Sequence, residues 1–332
     1  MKILITGAAG FIGSHMVRAL VNRGNSVLPL DNFADYYSVD YKRLRVRELH
    51  EDPNQLQIVD ISDRVALEQA FSSFKPEYVI HLAAQAGVRL SLNQSQIYIS
   101  SNIEGFYNVL CCAEDYGVKG FLYASSSSVY GDSTPTPYSE TSLTLRPKSI
   151  YGVSKLTNEM FAEIQARKSN MRFRGLRFFT VYGPWGRPDM AYFRLINAAQ
   201  NKSQFHMFGD GSVIRDFTYV DDVVNSISQL VVDLDSRSGG FHDVVNVAGG
   251  KPASLTQMIE EISKQLGEKI SIDKLGMHVN DVNSTAADTS YLSSLITRIP
   301  STSLEEGISR VIEWAKQPRV QPHLKAWVDS SI

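Results

Sequence analysis

Residues 2–31 read KILITGAAGFIGSHMVRALVNRGNSVLPLD, and this stretch decides the fold. The apolar runs Lys2–Thr6 and Ser26–Leu30 predict strands, and the periodicity of Ser14–Arg23 predicts a helix between them. The turn that joins the first strand to the helix carries the glycines Gly7, Gly10 and Gly13. A strand, a glycine-rich turn, a helix and a second strand that ends in an acid, here Asp31, predict a dinucleotide site.

The identity of the dinucleotide follows from Asp31. Its carboxylate is suited to accept hydrogen bonds from the adenosine ribose and would repel a 2′-phosphate. The first basic residues after it are Lys42 and Arg43, so we expect NAD rather than NADP. Taken alone, the glycine pattern is also compatible with an ordinary tight turn, and the strand–helix–strand order around it argues for the cofactor.

Composition narrows the functional classes. The chain has 332 residues, of which 43% are hydrophobic and 20% charged, and its net charge is −2. These values are ordinary for a globular protein and predict neither a nucleic-acid-binding nor a membrane-binding surface. The two cysteines, Cys111 and Cys112, are adjacent in a helical pattern, so we expect reduced thiols in a cytoplasmic protein. The seven histidines lack metal-ligand spacing, so we expect no metal.

Apolar runs alternate with helical patterns up to Phe178. Further strands are predicted at Leu56–Val59, Tyr78–Leu82, Phe121–Ala124 and Phe173–Phe178. Helices are predicted at Val65–Phe74, Ile97–Tyr116 and Tyr151–Arg167. This alternation predicts an α/β fold with a doubly wound parallel (Rossmann) sheet and helices on both faces.

The pattern changes after Phe178. Gly and Pro predict a loop over Thr180–Asp189, and the following segments predict a helix at Asp221–Val232, a returning strand at Val244–Val247 and a short strand near Lys269–Asp273. We therefore expect a smaller, interleaved α/β substrate-binding part on the C-terminal side. The expected division is a dinucleotide-binding domain of residues 1–178 plus about 217–247, and a substrate-binding domain of about 179–216 and 248–332.

Tyr151 and Lys155 are four residues apart in the segment YGVSK, and on a helix these two positions share a face. A phenol loses its proton near pH 10, and a neighbouring cation favours the phenolate, so Tyr151 is a candidate base. An ordinary exposed helix pair is the alternative interpretation. The segment Phe121–Gly131 ends a predicted strand with four serines, which predicts a ligand-facing loop or, alternatively, a polar connection.

These motifs together resemble the extended short-chain dehydrogenase/reductases, and within them the nucleotide-sugar epimerases. The matching segments are GAAGFIG from Gly7, HLAAQ from His81, the serine run before Val129-Tyr130-Gly131, YGVSK from Tyr151 and RDFTYVDD from Arg215. A narrower similarity to UDP-glucuronate 4-epimerases is carried by the segments AAQAGVR from Ala83, ASSSSVYG from Ala124 and LRFFTVYGPWGRPDM from Leu176. The resemblance implies tightly bound NAD that is not consumed, a UDP-hexuronic acid substrate and a homodimer formed through the two long helices.

The resemblance also implies site residues. Tyr151 takes the position of the base and acid, Lys155 that of the residue that holds the cofactor ribose and lowers the tyrosine pKa, and Ser126 that of the partner of the sugar 4-hydroxyl. The positions where the family contacts NAD are Gly7, Gly10, Phe11, Ile12, Gly13, Asp31, Asn32, Asp60, Ile61, Leu82, Ala83, Ala84, Asn102, Ser125, Tyr151, Lys155 and Phe178. The positions where it handles the UDP-sugar are Arg89, Ser126, Ser127, Ser128, Tyr151, Thr180, Arg187, Met190, Arg215 and Asp281.

Several alternatives stay open at this point. Related dehydratases carry Asp-Glu before Val-Tyr-Gly and related decarboxylases carry Glu, whereas this chain has Ser127 and Ser128, which titrate poorly at neutral pH. The serine hydroxyls favour a uronic acid, because a carboxylate accepts several hydrogen bonds. UDP-glucose or an N-acetylated UDP-sugar is the alternative substrate, and a non-catalytic NAD-binding regulator is the alternative class. Val279-Asn280 replaces the family's usual Pro-Gly ahead of Asp281.

Overall fold

The computed structural model describes residues 1–87, 94–276 and 284–328. The strands are β1 (Lys2–Thr6), β2 (Ser26–Asp31), β3 (Gln57–Ile58), β4 (Tyr78–His81), β5 (Gly120–Ser126), β6 (Arg172–Phe178), β7 (Thr180–Tyr182), β8 (Gln204–Phe208), β9 (Ile214–Tyr219), β10 (His242–Val247), β11 (Pro252–Ser254), β12 (Ser271–Leu275) and β13 (Ser284–Thr285).

The helices are α1 (Phe11–Val21), α2 (Val39–Leu49), α3 (Arg64–Phe74), α4 (Ser95–Tyr98), α5 (Gly105–Asp115), α6 (Ile150–Ala166), α7 (Ala191–Asn201), α8 (Val220–Asp235), α9 (Leu255–Leu266), α10 (Ser290–Leu295), α11 (Leu304–Ala315) and α12 (Gln321–Val328). A π-helical segment, Ile99–Glu104, joins α4 to α5. The helix expected at Ile97–Tyr116 is therefore interrupted by wider turns.

Seven parallel strands form the central sheet in the order β10-β6-β5-β4-β1-β2-β3. Helices cover both faces, because successive side chains of each strand point to opposite sides. Ile3 and Ile5 of β1 pack with α1, α8 and α10 on one face, whereas Leu4 packs with α3, α5 and α6 on the other. The expected doubly wound α/β fold is confirmed.

A second hydrophobic core lies beyond the sheet. It brings together α7, α9, α11 and β8 with Tyr182 and Trp185. Tyr41 and Leu49 of α2 pack into this core, although they come from the first 50 residues, whereas Leu292 of α10 packs against the central sheet. The two halves of the chain are thus interleaved in space.

The region after Phe178 contains short elements that the sequence pattern did not predict. The loop expected at Thr180–Asp189 is wrong for its first residues, because β7 pairs with β9 in parallel over Thr180–Tyr182. β9 also pairs with β11 in antiparallel and with β13 in parallel orientation. These strands are two to six residues long, too short for the alternation of side chains to predict them reliably.

Candidate active site

The glycine turn lies between β1 and the first turn of α1. Gly7 has a φ of +71°, and a Cβ there would lie 2.6 Å from the amide nitrogen of Ala83 on the neighbouring strand connection. A Cβ on Gly13 would lie 2.0 Å from the carbonyl oxygen of Gly7. Only glycine fits either position, and the free N–H groups at the start of α1 suit an anionic phosphate.

Asp31 ends β2 and faces this turn. Its two oxygens accept hydrogen bonds from the N–H of Ala9 at 2.9 Å and the N–H of Phe33 at 2.8 Å. Burial raises the pKa of Asp31, and these hydrogen bonds oppose that rise. Asn32, the next residue, donates to Asp60 at 2.8 Å. The carboxylate is therefore held in place beside the glycine turn, where the sequence predicted an adenosine ribose partner.

Lys42 lies near Asp31 in space, although it comes eleven positions later in the sequence. Lys42 lies in the cavity wall with Asp31, and its ammonium donates to the carbonyl oxygen of Ala34 and stands 4.5 Å from the Tyr37 ring centroid. Burial lowers the pKa of Lys42, and the Asp31 carboxylate raises it. The prediction of NAD over NADP assumed that no cation lies near Asp31, and only this assumption is wrong.

Tyr151 and Lys155 lie in the first turns of α6. The helix begins after Ser149, whose hydroxyl accepts the N–H of Gly152 at 3.1 Å and so fixes the turn that carries Tyr151. The ammonium of Lys155 donates to the carbonyl oxygen of Ala124 on β5 at 2.9 Å. It stands 5.8 Å from the centroid of the Tyr151 ring. Burial lowers the pKa of Lys155 to about 8.

The environment of the Tyr151 phenol differs from the expectation. Burial raises its pKa, and the influences that lower it come from hydrogen bonding with Ser126 and from the charge of Arg187. The sequence resemblance assigned that effect to Lys155. The physical reason is that burial lowers the pKa of Lys155 to about 8 and raises that of Tyr151, so Lys155 has lost its charge by the pH at which the phenol titrates.

The serine run turns away from β5 toward Tyr151. Ser126 accepts the N–H of Ser128 at 3.1 Å and donates its own hydroxyl hydrogen to the Ser128 Oγ at 3.1 Å. Ser125, by contrast, donates its hydroxyl to the buried carboxylate of Glu159 on α6. Glu159 forms a bidentate pair with Arg177 of β6, at 2.9 and 2.7 Å. The end of β5 is therefore tied to both the helix and the next strand.

The opposite wall of the cavity comes from the region after β6. Arg187 forms an ion pair with Asp189 at 2.6 Å, and its guanidinium carbon lies 5.4 Å from the Tyr36 ring centroid. Arg215 extends from β9, and the adjacent Asp216 is fully buried. Its carboxylate accepts the N–H groups of Gly249 and Gly250, both at 3.1 Å. Asp216 therefore anchors the strand that carries Arg215.

One cavity of about 470 Å³ brings most of the predicted residues together. Its walls include the predicted cofactor positions Gly7, Gly10, Phe11, Ile12, Gly13, Asp31, Asn32, Ile61, Leu82, Ala83, Ala84, Ser125, Tyr151, Lys155 and Phe178. They also include the predicted substrate positions Ser126, Ser127, Ser128, Thr180, Arg187, Met190 and Arg215. The sequence therefore located the cavity from motifs that are up to two hundred residues apart.

Two of the predicted residues that the structure describes do not line this cavity. Asp60 is exposed and accepts a hydrogen bond from Asn32, and Asn102 is buried against Gln85, whose N–H it accepts at 2.8 Å. Both are hydrogen-bonded to a residue of the cavity wall, and their contact with a cofactor stays a prediction. Arg89 and Asp281 lie outside the described residues.

Comparison with known proteins places the chain in a family. The family model described as NAD dependent epimerase/dehydratase matches residues 3–248. The chain belongs to this family. The resemblance to nucleotide-sugar epimerases drawn from the motifs is thereby confirmed.

The curated and solved relatives of this epimerase-family protein match it over nearly its whole length. It is 37% identical to the probable UDP-glucuronate 4-epimerase of Rhizobium meliloti, over 97% of this chain and 99% of the relative. It is also 37% identical to the UDP-glucuronate 4-epimerase of Thermodesulfobacterium geofontis, over 95% and 96%. The solved UDP-glucuronic acid 4-epimerase of Bacillus cereus, in complex with UDP-glucuronic acid and NAD, gives a TM-score of 0.87 at 32% identity, over 96% and 99%.

Several residues of this epimerase-family cavity escaped the sequence prediction. Tyr36, Lys42 and Gln85 line it, and Glu159 with Arg177 supports the serine run from behind. Glu159 lies four residues after Lys155 on the same helix, and this spacing is the one local signal that pointed to it.

The described part of the chain contains no cluster of His, Cys, Asp or Glu arranged for a metal ion. Its helices are too short or too polar to span a bilayer.

Proposed function

We propose that this protein interconverts UDP-glucuronate and UDP-galacturonate by inverting C4 of the sugar, with an NAD that stays bound and is not consumed. The observation that carries the proposal is the meeting of Tyr151, Lys155 and Ser126 with the glycine turn in one cavity. The names of the relatives at 37% identity supply the substrate class.

The residues present fit a dinucleotide. A Cβ at Gly7 or Gly13 would collide with the backbone of Ala83 or of Gly7, so glycine at both positions lets the turn pack tightly at the start of α1, where free N–H groups suit a phosphate. Asp31 would hold the adenosine ribose and Lys155 the nicotinamide ribose. Bound NAD would accept and return the C4 hydride, and its positive charge would favour the Tyr151 phenolate.

The protein's own groups supply the proton chemistry. Tyr151 takes the proton of the sugar 4-hydroxyl and later returns it, while Ser126 hydrogen-bonds the same oxygen. Arg215 is suited to the diphosphate, because its planar fork bonds two oxygens at once, and the 4-keto sugar would turn about this anchor. Ser127, Ser128 and Thr180 offer hydroxyl groups to the sugar carboxylate, and Arg187 offers a charge.

The absence of an acid in the serine run limits the reaction to oxidation and reduction at C4. Elimination of water needs a second acid or base, and the hydroxyls of Ser127 and Ser128 do not titrate near neutral pH. A dehydratase or decarboxylase outcome is therefore not expected from these residues. This argument favours an epimerase over the other activities of the family.

The test is an assay with UDP-glucuronate and no added cofactor, in which proton NMR follows the sugar. Formation of UDP-galacturonate to equilibrium, lost in Tyr151→Phe, supports the proposal. Turnover of UDP-glucose or UDP-N-acetylglucosamine alone would refute the uronic acid assignment. A pentose product would refute the argument from Ser127 and Ser128.

We further propose a homodimer formed through α5 and α6. Val153, Met160 and Ile164 repeat on one face of α6, and each is about half exposed. Tyr107 of α5 is also half exposed, and its ring lies 5.6 Å from that of Phe161, so the apolar area is continuous across both helices. A continuous exposed apolar area of this kind is typical of a protein interface.

The division into domains is likewise a proposal. The central sheet supports residues 1–178 plus about 217–247 as the NAD-binding domain, and the second core supports about 179–216 and 248–332 as the UDP-sugar-binding domain. We propose a cytoplasmic location, which the free thiols of Cys111 and Cys112 favour. A role in polysaccharide biosynthesis would follow from the product, an activated sugar donor.

A further inference from the structure

Arg45 of α2 is a buried cation whose hydrogen-bond partners are all uncharged. Its side chain is fully buried, and its Nε donates to the carbonyl oxygen of Trp185 at 2.8 Å. One terminal nitrogen donates to the carbonyl oxygen of Ala9 and to the hydroxyl of Tyr37, both at 2.7 Å. The other lies 3.4 Å from the carbonyl oxygen of Gly186. Within residues 1–87, 94–276 and 284–328, none of the carboxylates forms an ion pair with Arg45. Burial raises the pKa of the Asp31 carboxylate and the charge of Arg45 lowers it, but the oxygens of Asp31 accept the N–H groups of Ala9 and Phe33 instead.

The other deeply buried arginines among the described residues, Arg174 and Arg177, are neutralised by carboxylates. Arg174 pairs with Asp243 and Asp233 at 2.7 Å each, and Arg177 pairs with Glu159 at 2.7 Å. Burying a charge is costly unless an opposite charge and hydrogen bonds compensate for it. For Arg45, the faces of the Tyr41 and Tyr37 rings, at 4.9 and 5.5 Å from the guanidinium carbon, give only part of that compensation.

The position of Arg45 links the two ligand regions of the cavity. Ala9 belongs to the glycine turn, and its N–H is held by Asp31 while its carbonyl oxygen is held by Arg45. Trp185 and Gly186 directly precede Arg187, which lines the substrate end of the cavity. A single planar guanidinium therefore sets the geometry of the cofactor turn and of the loop that carries Arg187.

We propose that Arg45 is a positioning residue whose counter-charge is the pyrophosphate of the dinucleotide at the glycine turn, so that cofactor binding and the placement of Arg187 are coupled. The proposal rests on the proposed function only in taking NAD as the cofactor. An anion at the turn lowers the cost of the buried cation, and the same side chain holds the carbonyl oxygens of the Trp185–Gly186 segment. Binding at one end should then favour binding at the other, by the same factor in both directions.

A purely structural role for Arg45 makes different predictions. If Arg45 only stabilised the fold, its removal would lower the stability of the protein but would leave unchanged the factor by which NAD alters the affinity for UDP. Arg45→Met leaves the buried carbonyl oxygens of Ala9 and Trp185 without their donor, so some loss of stability is expected under either role. The measurement that separates the two is therefore the coupling between NAD and a nucleotide that does not react.

The experiment compares the full-length wild type with Arg45→Met, Arg45→Lys and Arg47→Met after the bound cofactor has been removed. Arg47 is the matched control, because it lies two residues away on the same helix with an exposed side chain. Calorimetry measures the binding of NAD alone, of UDP alone and of UDP at saturating NAD. Thermal unfolding measures the stability of each cofactor-free variant.

We expect Arg45→Met to bind NAD about tenfold more weakly, as for the loss of one favourable charge interaction worth ~1.4 kcal/mol. NAD should tighten UDP binding about fivefold or more in the wild type and in Arg47→Met, and this factor should fall to about one in Arg45→Met. Arg45→Lys keeps the positive charge but cannot donate to the carbonyl oxygens of Ala9 and Trp185 at once. NAD affinity should therefore be nearly unchanged, while the effect of NAD on UDP affinity should be lost.

Unchanged NAD affinity and unchanged coupling in Arg45→Met would overturn the proposal. If that variant does not fold, Arg45→Lys decides the question, because wild-type coupling in it would show that the fork between Ala9 and Trp185 is not needed. None of these measurements uses the sugar substrate. A failure of the epimerase assay would therefore leave their outcome unaffected, and the two proposals can fail separately.

Discussion

The buried ammonium of Lys155 should make the protein less stable than it would be without this charge. The side chain is 1% exposed, and burial lowers its pKa from 10.5 to about 8. Such a shift corresponds to ~3 kcal/mol of unfolding free energy. Between pH 8 and 10.5 the unfolded chain binds more protons than the folded one, so stability rises with pH in that interval. The penalty is fully present below pH 8.

We therefore expect Lys155→Met to be more stable than the wild type at pH 7 when both are free of cofactor. Met has a similar length and no charge to bury, and the lost hydrogen bond to Ala124 subtracts about 1 kcal/mol. The net gain should be about 2 kcal/mol at pH 7, since ~3 kcal/mol of charge burial is removed. It should disappear as the pH approaches 10.5. Epimerase turnover should fall about 100-fold or more.

Urea unfolding at neutral and at alkaline pH measures both the gain and its pH dependence. Lys168→Met is the matched control, because Lys168 follows α6 with an exposed side chain, and we expect a change within about 0.5 kcal/mol. A Lys155→Met protein that is less stable than the wild type at pH 7 would refute the reasoning. So would a stability difference that stays constant between neutral pH and pH 10.5.

Three further predictions follow from contacts in the structure. Gly13→Ala places a Cβ 2.0 Å from the Gly7 carbonyl oxygen and should abolish the retention of NAD. Gly276→Ala is the control, because Gly276 has open space around it, and it should retain NAD. The amount of nucleotide released on denaturation measures the difference, and equal NAD content in the two variants would contradict the prediction. Glu159→Gln should lower the unfolding free energy by about 3–5 kcal/mol, because it leaves the charge of Arg177 buried without its partner. In urea unfolding, Glu159→Leu combined with Arg177→Met should recover most of that loss, and additive losses would argue against a coupled pair. Met160→Glu should convert the proposed dimer to a monomer in light scattering, and an unchanged mass would show that α6 is not the interface.

The parts of the site that depend on local sequence could be predicted. The strand–turn–helix order around Gly7 and the four-residue spacing of Tyr151 and Lys155 are set by contacts within one or two turns of chain. The family motifs then placed the serine run and Arg215 in the same cavity, where the structure has them. The sequence could do this because the carboxyl ends of parallel strands meet at one edge of a sheet.

The pKa values and the supporting contacts could not be predicted. The sequence assigned the lowering of the Tyr151 pKa to Lys155, but burial dominates that phenol, and the opposing influences are Ser126 and Arg187. Burial is a property of the packed molecule, and no spacing along the chain reports how much water reaches a phenol. The position of Lys42 near Asp31 could not be predicted from the sequence either, because it also depends on how the molecule packs.

Helix α2 shows where local information ends. Its residues Tyr41 and Leu49 pack against side chains that come more than one hundred residues later, and Arg45 donates to Trp185 at a separation of 140 residues. The sequence by itself determined the class of fold, the glycine turn and the Tyr151–Lys155 pair on one helix face, because hydrogen bonds and side-chain periodicity over a few residues specify them. Only the tertiary structure decided which charges are buried, what compensates them and how the two ligand regions are joined, because those depend on contacts between distant parts of the chain.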